Sequence, residues 1–382
     1  MPTPYSVANV FTSPQVLPTG FGGGLDPSTN YLGCGFGGLL LIDRNLKTPY
    51  VEQWNLSLQH ELVNNWMLEL SYAGNQGHRL AFTNDPNRVT GGYQGNPSTR
   101  PNPLLGGIDY LTTSGSSNYN GGSVQLKKQF SHGYLLQTSY TYGKVLDIQD
   151  DANAGDFIGS GTGYNGTMDA SKPRLDYGRS SFDIRHRLTA NGVWEIGQMS
   201  KQGPVVRALA GGWQINTIFS YESGRPFTVF NSVVDYNGDG GGAAQAPPTG
   251  NAYDRPDVTS LGNSVGCKSP HAYVNGLFHP SDFTQPPTPR DGTLGRNTFC
   301  GPNYKGLDLS LVRNFRARLL GERGKIQFRA EAFNALNRVN LYLPDGDLGV
   351  AGLIPNPVFS TFGKSTQAYS PRELQFGLKI SW

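Results

Sequence analysis

Strictly alternating apolar and polar residues recur along the chain, and the clearest stretch is the last one, residues 372–382. Its apolar members occupy every second position, and they are Leu374, Phe376, Leu378, Ile380 and Trp382. A period of two puts such side chains on one face of a β-strand and the polar ones on the other. The chain ends on an aromatic residue in phase with the apolar face. Soluble domains rarely end in this way, whereas the last strand of a membrane barrel must face lipid.

The same alternation predicts eight further strands, so that the chain is expected to hold about nine. In each strand the large apolar side chains are predicted to share an outer face and the polar side chains an inner face. The eight strands are expected at about residues 51–62, 66–72, 119–130, 134–144, 184–194, 213–221, 307–315 and 326–332.

The predicted connections alternate between short ones of roughly 3 to 16 residues and long ones of roughly 30 to 75. The longest, about residues 231–305, is structureless by composition, and residues 1–49 are also predicted to be loop. A soluble sandwich has no reason to sort its loops by end. A membrane barrel does, with brief periplasmic turns on one rim and long extracellular loops on the other.

Composition agrees with such a barrel. Only 37% of the 382 residues are hydrophobic, aromatic residues reach 11%, and there are 51 glycines and 26 prolines. No apolar run approaches the roughly 18 residues that a membrane helix needs. We therefore predict an all-β fold, an antiparallel transmembrane β-barrel with long extracellular loops. A net charge of +3, evenly spread, is too small to indicate a nucleic-acid partner.

The start of the sequence suggests that the barrel is partial. Met1 is followed by Pro2, Thr3 and Pro4, without the basic start and apolar core of a secretory signal. Nine strands is also an odd number, whereas bacterial single-chain barrels have an even one. We expect either a piece of a longer gene product or a misassigned start.

Four stretches of the chain resemble segments of the Oar-like TonB-dependent transporters. They read TPYVEQWNLSLQ at residues 48–59, SSFDIRHR at 180–187, GGWQ at 211–214 with SGRPF at 223–227, and RAEAFNALN at 329–337. The resemblance implies the C-terminal part of a roughly 22-stranded barrel, filling residues 1–382, which imports a ligand with energy from the inner membrane. The plug domain and the TonB-binding segment have no counterpart here, so TonB is expected to act only through the missing N-terminal part.

The terminal strand resembles the C-terminal assembly signal of outer-membrane proteins. The resemblance implies that the barrel assembly machinery recognises residues 374–382 and that the strands contact outer-membrane lipid. The expected location is the outer membrane of a Gram-negative-type bacterium.

Candidate chemistry is sparse. Asp235, Asn237 and Asp239 fit the opening of a calcium loop, but the glutamate expected at its twelfth position is Ala246. The segment is therefore either a looser calcium site or a flexible polar turn. The six histidines show no zinc-binding spacing, and no nucleophile elbow occurs. We expect no other metal, no cofactor and no enzymatic activity. The charged residues of the predicted inner face, expected mainly to solvate the lumen or to pair, are Arg185, Arg187, Arg329 and Glu331.

Three cysteines leave one unpaired. Cys267 and Cys300 lie in the same predicted extracellular loop, where oxidising conditions favour a disulfide between them. Cys34 is either free or paired with a residue outside this sequence.

The sequence thus predicts the barrel portion of an outer-membrane transporter for an unidentified ligand. One alternative is an outer-membrane adhesion or structural protein whose long loops bind partners. A secreted all-β binding module would show the same composition, but it would be soluble without detergent.

Overall fold

A computed structural model describes most of the chain outside the longest loops. The described residues are 25–26, 31–32, 39–84, 86, 101, 108–149, 172–197, 203, 205, 211–231, 255–260, 266–286, 290–316, 321, 324–348 and 361–382. Within these ranges no helix has the length and apolar character needed to cross a membrane.

Antiparallel strands dominate the described chain. They are β1 (Leu25–Asp26), β2 (Tyr31–Leu32), β3 (Leu39–Ile42), β4 (Tyr50–Val63), β5 (Trp66–Asn84), β6 (Ile108–Ser131), β7 (Tyr134–Asp147), β8 (Gly178–Arg179), β9 (His186–Glu195), β10 (Trp213–Glu222), β11 (Pro226–Phe227), β12 (Asp257–Val258), β13 (Phe283–Thr284), β14 (Phe299–Cys300), β15 (Tyr304–Arg316), β16 (Lys325–Phe333) and β17 (Glu373–Ser381). The described parts of the long connections also hold a short helix, α1 (Pro270–Asn275), and the 3-10 turns Pro173–Asp176 and Pro280–Asp282.

The nine long strands form one sheet in the order β17-β16-β15-β10-β9-β7-β6-β5-β4. Each pairs antiparallel with the next long strand along the chain. The short strands β3 and β8 add to β6 and β7. The nine predicted strands and their up-and-down order are confirmed, and so is the alternation of short and long connections. We call the two ends of the sheet the short-turn end and the long-loop end.

The pairing register confirms that the predicted apolar positions share a face. Leu309 of β15 lies opposite Thr217 of β10 and Ala332 of β16, which in turn lies opposite Leu374 of β17. The same phase continues through the other five strand pairs as far as β4. Because Leu309 is 38% exposed and Leu374 62%, no other part of the described chain covers this outer face.

Strands β5 and β6 are longer than predicted. The alternation predicts strands that end at about residue 72 and begin again at about residue 119, yet β5 runs to Asn84 and β6 begins at Ile108. This extension is rich in Gly, Ser, Asn and Thr on both faces, so it shows no apolar alternation, although its backbone still pairs across the ladder. At its base Gly74 lies under the indole of Trp54, where an added Cβ would overlap the ring.

The expectation that residues 231–305 are structureless is wrong for the part that is described. Residues from two long connections, the one between β10 and β15 and the one between β16 and β17, pack into one hydrophobic cluster, which we call the cap core: Phe227, Val229, Phe278, Phe283, Leu294, Phe299, Leu348 and Phe362. Its central rings, Phe278 and Phe299, meet edge to face with centroids 4.6 Å apart. We refer to the folded connections around this core as the cap.

Buried ion pairs join the connections of the cap. Arg255 and Asp176, 1% and 0% exposed, lie 3.1 Å apart, and Arg296 reaches Asp147 at 2.7 Å. Arg255 is thereby linked to the connection that follows β7, and Arg296 to the last residue of β7 itself. A buried charge is costly unless it is paired, so neither partner can leave without destabilising the other.

Cys267 and Cys300 form a disulfide, with Cα atoms 4.8 Å apart, a spacing that suits such a bond. It joins the segment before α1 to β14. Tyr273 of α1 donates a hydrogen bond of 2.7 Å to the carbonyl oxygen of Cys300, and burial raises the pKa of this phenol. Cys34 lies outside the described residues.

We expect Cys267 and Cys300 to resist alkylation in folded protein until a reductant is added, which mass spectrometry of labelled peptides would measure. Replacing either residue with serine should leave the strand content, followed by far-UV circular dichroism, unchanged, because the bond lies in the cap and not in the sheet. Rapid labelling of both thiols in unreduced protein would contradict the bond.

Candidate functional site

The outer face carries aromatic side chains at two levels with aliphatic ones between them. One set, which we call the short-turn belt, lies at the short-turn end and consists of Trp66, Tyr134, Trp194, Trp213, Phe315, Phe328 and Trp382. The other set lies towards the long-loop end and consists of Tyr72, Tyr140, Tyr142 and Tyr221. Tyr134 and Tyr142 on β7 are separated by about 27 Å along the strand. With the usual tilt this is a height of about 20 Å, near the ~25 Å apolar band of outer-membrane barrels.

Basic side chains on the outer face lie at the level of the short-turn belt. The Lys128 amine lies 4.0 Å from the centre of the Tyr134 ring and donates to the carbonyl oxygen of Gln129 at 3.2 Å. The Arg313 guanidinium lies 4.7 Å from the Phe315 ring centre. Their aliphatic stems stay on the apolar face while the charges reach towards the polar end, as in side chains that snorkel at a membrane interface.

The inner face is polar. Glu69 accepts hydrogen bonds from Ser57 at 3.0 Å and from Gln59 at 2.9 Å. The four charged residues predicted for this face all have ion-pair partners within the chain: Arg185 with Asp183 at 2.7 Å, Arg187 with Glu222 at 3.1 Å, and Arg329 with Glu331 at 3.6 Å.

The segment SGRPF, residues 223–227, turns the chain from β10 into the cap. Ser223 exchanges two hydrogen bonds with the backbone of His186, 2.9 and 3.1 Å long. Gly224 is pressed against Gly301, where an added Cβ would overlap the carbonyl oxygen. The Arg225 carbonyl accepts a 2.7 Å bond from the Gly301 amide, and Phe227 enters the cap core.

The segments SSFDIRHR and RAEAFNALN also end at the long-loop end. Asp183, fully buried, accepts 2.7 Å bonds from both Arg179 and Arg185 and a 2.9 Å bond from the Val145 amide, which fixes the start of β9. Asn334 and Asn337 both have positive φ, a conformation that Asn tolerates, and they close the turn after β16.

A pocket of about 270 Å³ opens on the inner side of the long-loop end. It is lined by Glu222, Ser223, Arg225, Pro302, Tyr304, Leu341, Tyr342, Leu343 and Tyr369. Glu222 of β10 and Tyr304 of β15 are direct partners in the ladder. The Tyr342 and Tyr369 ring centres lie 4.2 Å apart, and those of Tyr304 and Tyr369 lie 5.5 Å apart. The sequence alone did not indicate this pocket, although Arg225 belongs to the SGRPF segment.

The lining of the pocket carries one charge of each sign, on Glu222 and Arg225, and Arg187 contacts the same carboxylate from outside the lining. The Glu222 carboxylate lies 3.1 Å from the Arg187 guanidinium and 3.8 Å from that of Arg225. Burial raises the pKa of Tyr369, so its phenol is neutral at physiological pH. The pocket therefore offers hydrogen-bond donors and acceptors without a strong net charge.

The other predicted site residues lie elsewhere or outside the described ranges. Leu374, Phe376, Leu378 and Ile380 follow one another along the outer face of β17, and Trp382 comes directly after it. Asp235, Asn237 and Asp239 lie outside the described residues. In the part of the chain that is described, no three His, Cys, Asp or Glu side chains converge on a common point.

The sequence matches the outer membrane beta barrel domain family over residues 2–375. The chain therefore belongs to this family, and it is a β-barrel protein of the outer membrane.

Several solved outer-membrane proteins are similar. The outer membrane transporter YddB from Escherichia coli is 11% identical, with a TM-score of 0.46 over 91% of this chain and 34% of that one. The FrpB iron transporter from Neisseria meningitidis is 10% identical, with a TM-score of 0.38 over 88% and 32%. The chain spans about a third of the length of these proteins. No curated protein sequence matches it significantly.

Replacing Leu309 with Arg should destabilise the folded protein by about 2–4 kcal/mol, because it puts a charge near the middle of the apolar band. Phe328→Arg should cost less, since Phe328 lies in the short-turn belt opposite Arg313. The free energy of unfolding in lipid vesicles, from urea titration, would measure both.

The matched control is Gln327→Arg on the inner face, next to Phe328, which should be nearly neutral. Equal tolerance of arginine at all three positions would contradict the assignment of the outer face to lipid.

Proposed function

We propose that the chain is the barrel portion of a TonB-dependent outer-membrane transporter that takes up a small ligand with energy from the inner membrane. The observation that carries this proposal is the position, within the sheet, of the four segments that resemble Oar-like transporters. All of them reach the long-loop end of the sheet except the GGWQ part of the third, which begins β10 at the short-turn end, and SGRPF builds both the cap joint and one wall of the pocket.

The arrangement of the two faces supports passage of a polar solute. The outer face is apolar and the inner face carries paired charges and hydrogen-bonding side chains such as Glu69 and Arg329. Long loops of outer-membrane barrels lie outside the cell, so the pocket would be the part of the inner face that an incoming ligand meets first. In this proposal the inner-membrane TonB complex acts through a plug domain N-terminal to residue 1, and the chain catalyses no reaction.

Uptake in the source bacterium tests the proposal. Wild-type cells, a strain lacking this gene and a strain lacking TonB would be given the same defined mixture of small nutrients, and their depletion followed by mass spectrometry. We expect at least one compound that the wild type depletes and both mutants leave in the medium. If both mutants depleted every compound that the wild type depletes, energy-coupled uptake through this protein would be contradicted.

The folded cap favours one second candidate, an adhesion or structural protein. Its aromatic core and buried ion pairs give the long connections a defined surface that a partner could bind. If deletion of the gene abolished attachment to surfaces or cells while every nutrient was still depleted normally, this candidate would replace the transporter.

The terminal strand generates a further prediction. Removing residues 376–382 should abolish assembly into the outer membrane, because the barrel assembly machinery would lose the alternating strand that we propose it recognises. The folded fraction in isolated outer membranes would be measured by its heat-modifiable mobility in gel electrophoresis. Trp382→Phe, which keeps an aromatic end, is the matched control and should assemble, and normal assembly of the truncated chain would refute the signal.

A further inference from the structure

The pocket at the long-loop end combines three tyrosine rings with an internally compensated ion pair. We infer that it binds a neutral carbohydrate of one or two sugar rings, with Tyr342 and Tyr369 contacting the ring faces and Arg225 and Glu222 its hydroxyl groups. This inference rests on the proposed function, since it names the class of ligand that the transporter would take up.

The size of the pocket limits the ligand. Its volume of about 270 Å³ lies just below the roughly 300–1,000 Å³ of pockets for drug-sized ligands. It therefore suits a compact ligand, or the end unit of a longer chain, rather than a large chelate.

The aromatic walls suit the faces of a sugar ring. Such a ring presents C–H groups on its faces and hydroxyl groups around its rim. The C–H groups carry partial positive charge and are attracted to the negative face of a phenol ring. Tyr342 and Tyr369 are inclined to each other by 36°, whereas Tyr304 meets Tyr369 at 72°. Their differently inclined faces, together with Leu341, Leu343 and Pro302, form an apolar wall for such a ring.

The charges of the pocket select against ionic ligands. A cation attracted by Glu222 would also meet Arg187 and Arg225, and an anion attracted by Arg225 would meet Glu222. Because the two charges of the lining, Glu222 and Arg225, are opposite in sign and already paired, a charged ligand would gain little and would disturb the pair.

Hydroxyl groups fit both members of the pair. Each hydroxyl donates one hydrogen bond and accepts two, the guanidinium of Arg225 has five N–H donors, and a carboxylate has about four acceptor positions. The ion contacts of Glu222 therefore leave capacity on both side chains. The neutral phenol of Tyr369 supplies a further donor. A neutral ligand with several hydroxyls can use all three groups without breaking the pair.

Binding to the full 382-residue chain folded in detergent micelles tests the inference. Isothermal titration calorimetry would use maltose, cellobiose, lactose and trehalose as neutral probes, digalacturonate as an anionic probe and deacetylated chitobiose as a cationic one. We expect saturable binding of at least one neutral disaccharide, and weaker binding of both charged ones.

Variants locate the site. Tyr342→Ala should weaken that binding by roughly tenfold or more, as expected for an aromatic contact at the centre of a binding site. Tyr342→Phe keeps the ring and should stay within about threefold of the wild type. Arg225→Gln keeps a polar side chain and leaves the tyrosine rings in place. It should still weaken binding, because the guanidinium donors are lost. Tyr177→Ala removes an exposed tyrosine that does not line the pocket and should bind normally.

Failure of all four neutral probes, tighter binding of a charged probe, or unchanged binding by both Tyr342→Ala and Arg225→Gln would overturn the inference. Binding in micelles needs no energy source, so the result is separate from the uptake experiment. Energy-dependent uptake without neutral-sugar binding would refute this inference alone, and sugar binding without TonB-dependent uptake would refute the proposed function alone.

Discussion

Hydrogen bonding of the backbone is the constraint on which the rest of the structure depends, because the hydrocarbon of the outer membrane offers no partner to a free N–H or C=O group. Each strand from β16 back to β5 pairs with both of its neighbours in the sheet. Once those ladders form, a slip of one residue would turn an entire apolar face inward. The common phase of Leu309, Ala332 and Leu374 across three strands is the consequence. The ladder thus determines which side chains meet lipid and which line the interior.

The cap depends on different interactions, since its hydrophobic core is built from the connections between the long strands and not from the ladder. Rings from distant connections bury one another around Phe278 and Phe299, and the ion pairs Arg255–Asp176 and Arg296–Asp147 connect the layers around them. Burial of apolar area stabilises this core. The paired charges make its geometry specific, because loss of one partner leaves the other buried and uncompensated. The sheet is therefore held together by backbone hydrogen bonds and the cap by side-chain packing and ion pairs, and the two join where the strands end.

Sequence patterns predicted the sheet well because alternation is a local property of each strand. In β10 or β17, about ten residues are enough to tell which side chains share the apolar face. The pairing register between strands then places these apolar positions opposite one another. The far ends of β5 and β6 escaped prediction because Gly, Ser, Asn and Thr outnumber the apolar residues there, so no sustained alternation is visible. The cap core escaped because Phe227, Phe278 and Phe362 are far apart in sequence and follow no period. The pocket combines Glu222 with Tyr369, a pairing that only the folded cap creates.

The segments that carry the family resemblance are mainly joints. Asp183 fixes the start of β9, Asn334 closes the turn after β16, and Gly224 allows the chain that leaves β10 to pass directly against Gly301. Arg225 has a second role, because its carbonyl accepts a bond from Gly301 of the cap while its side chain lines the pocket beside Glu222. One residue thus connects the position of the cap to the chemistry of the pocket.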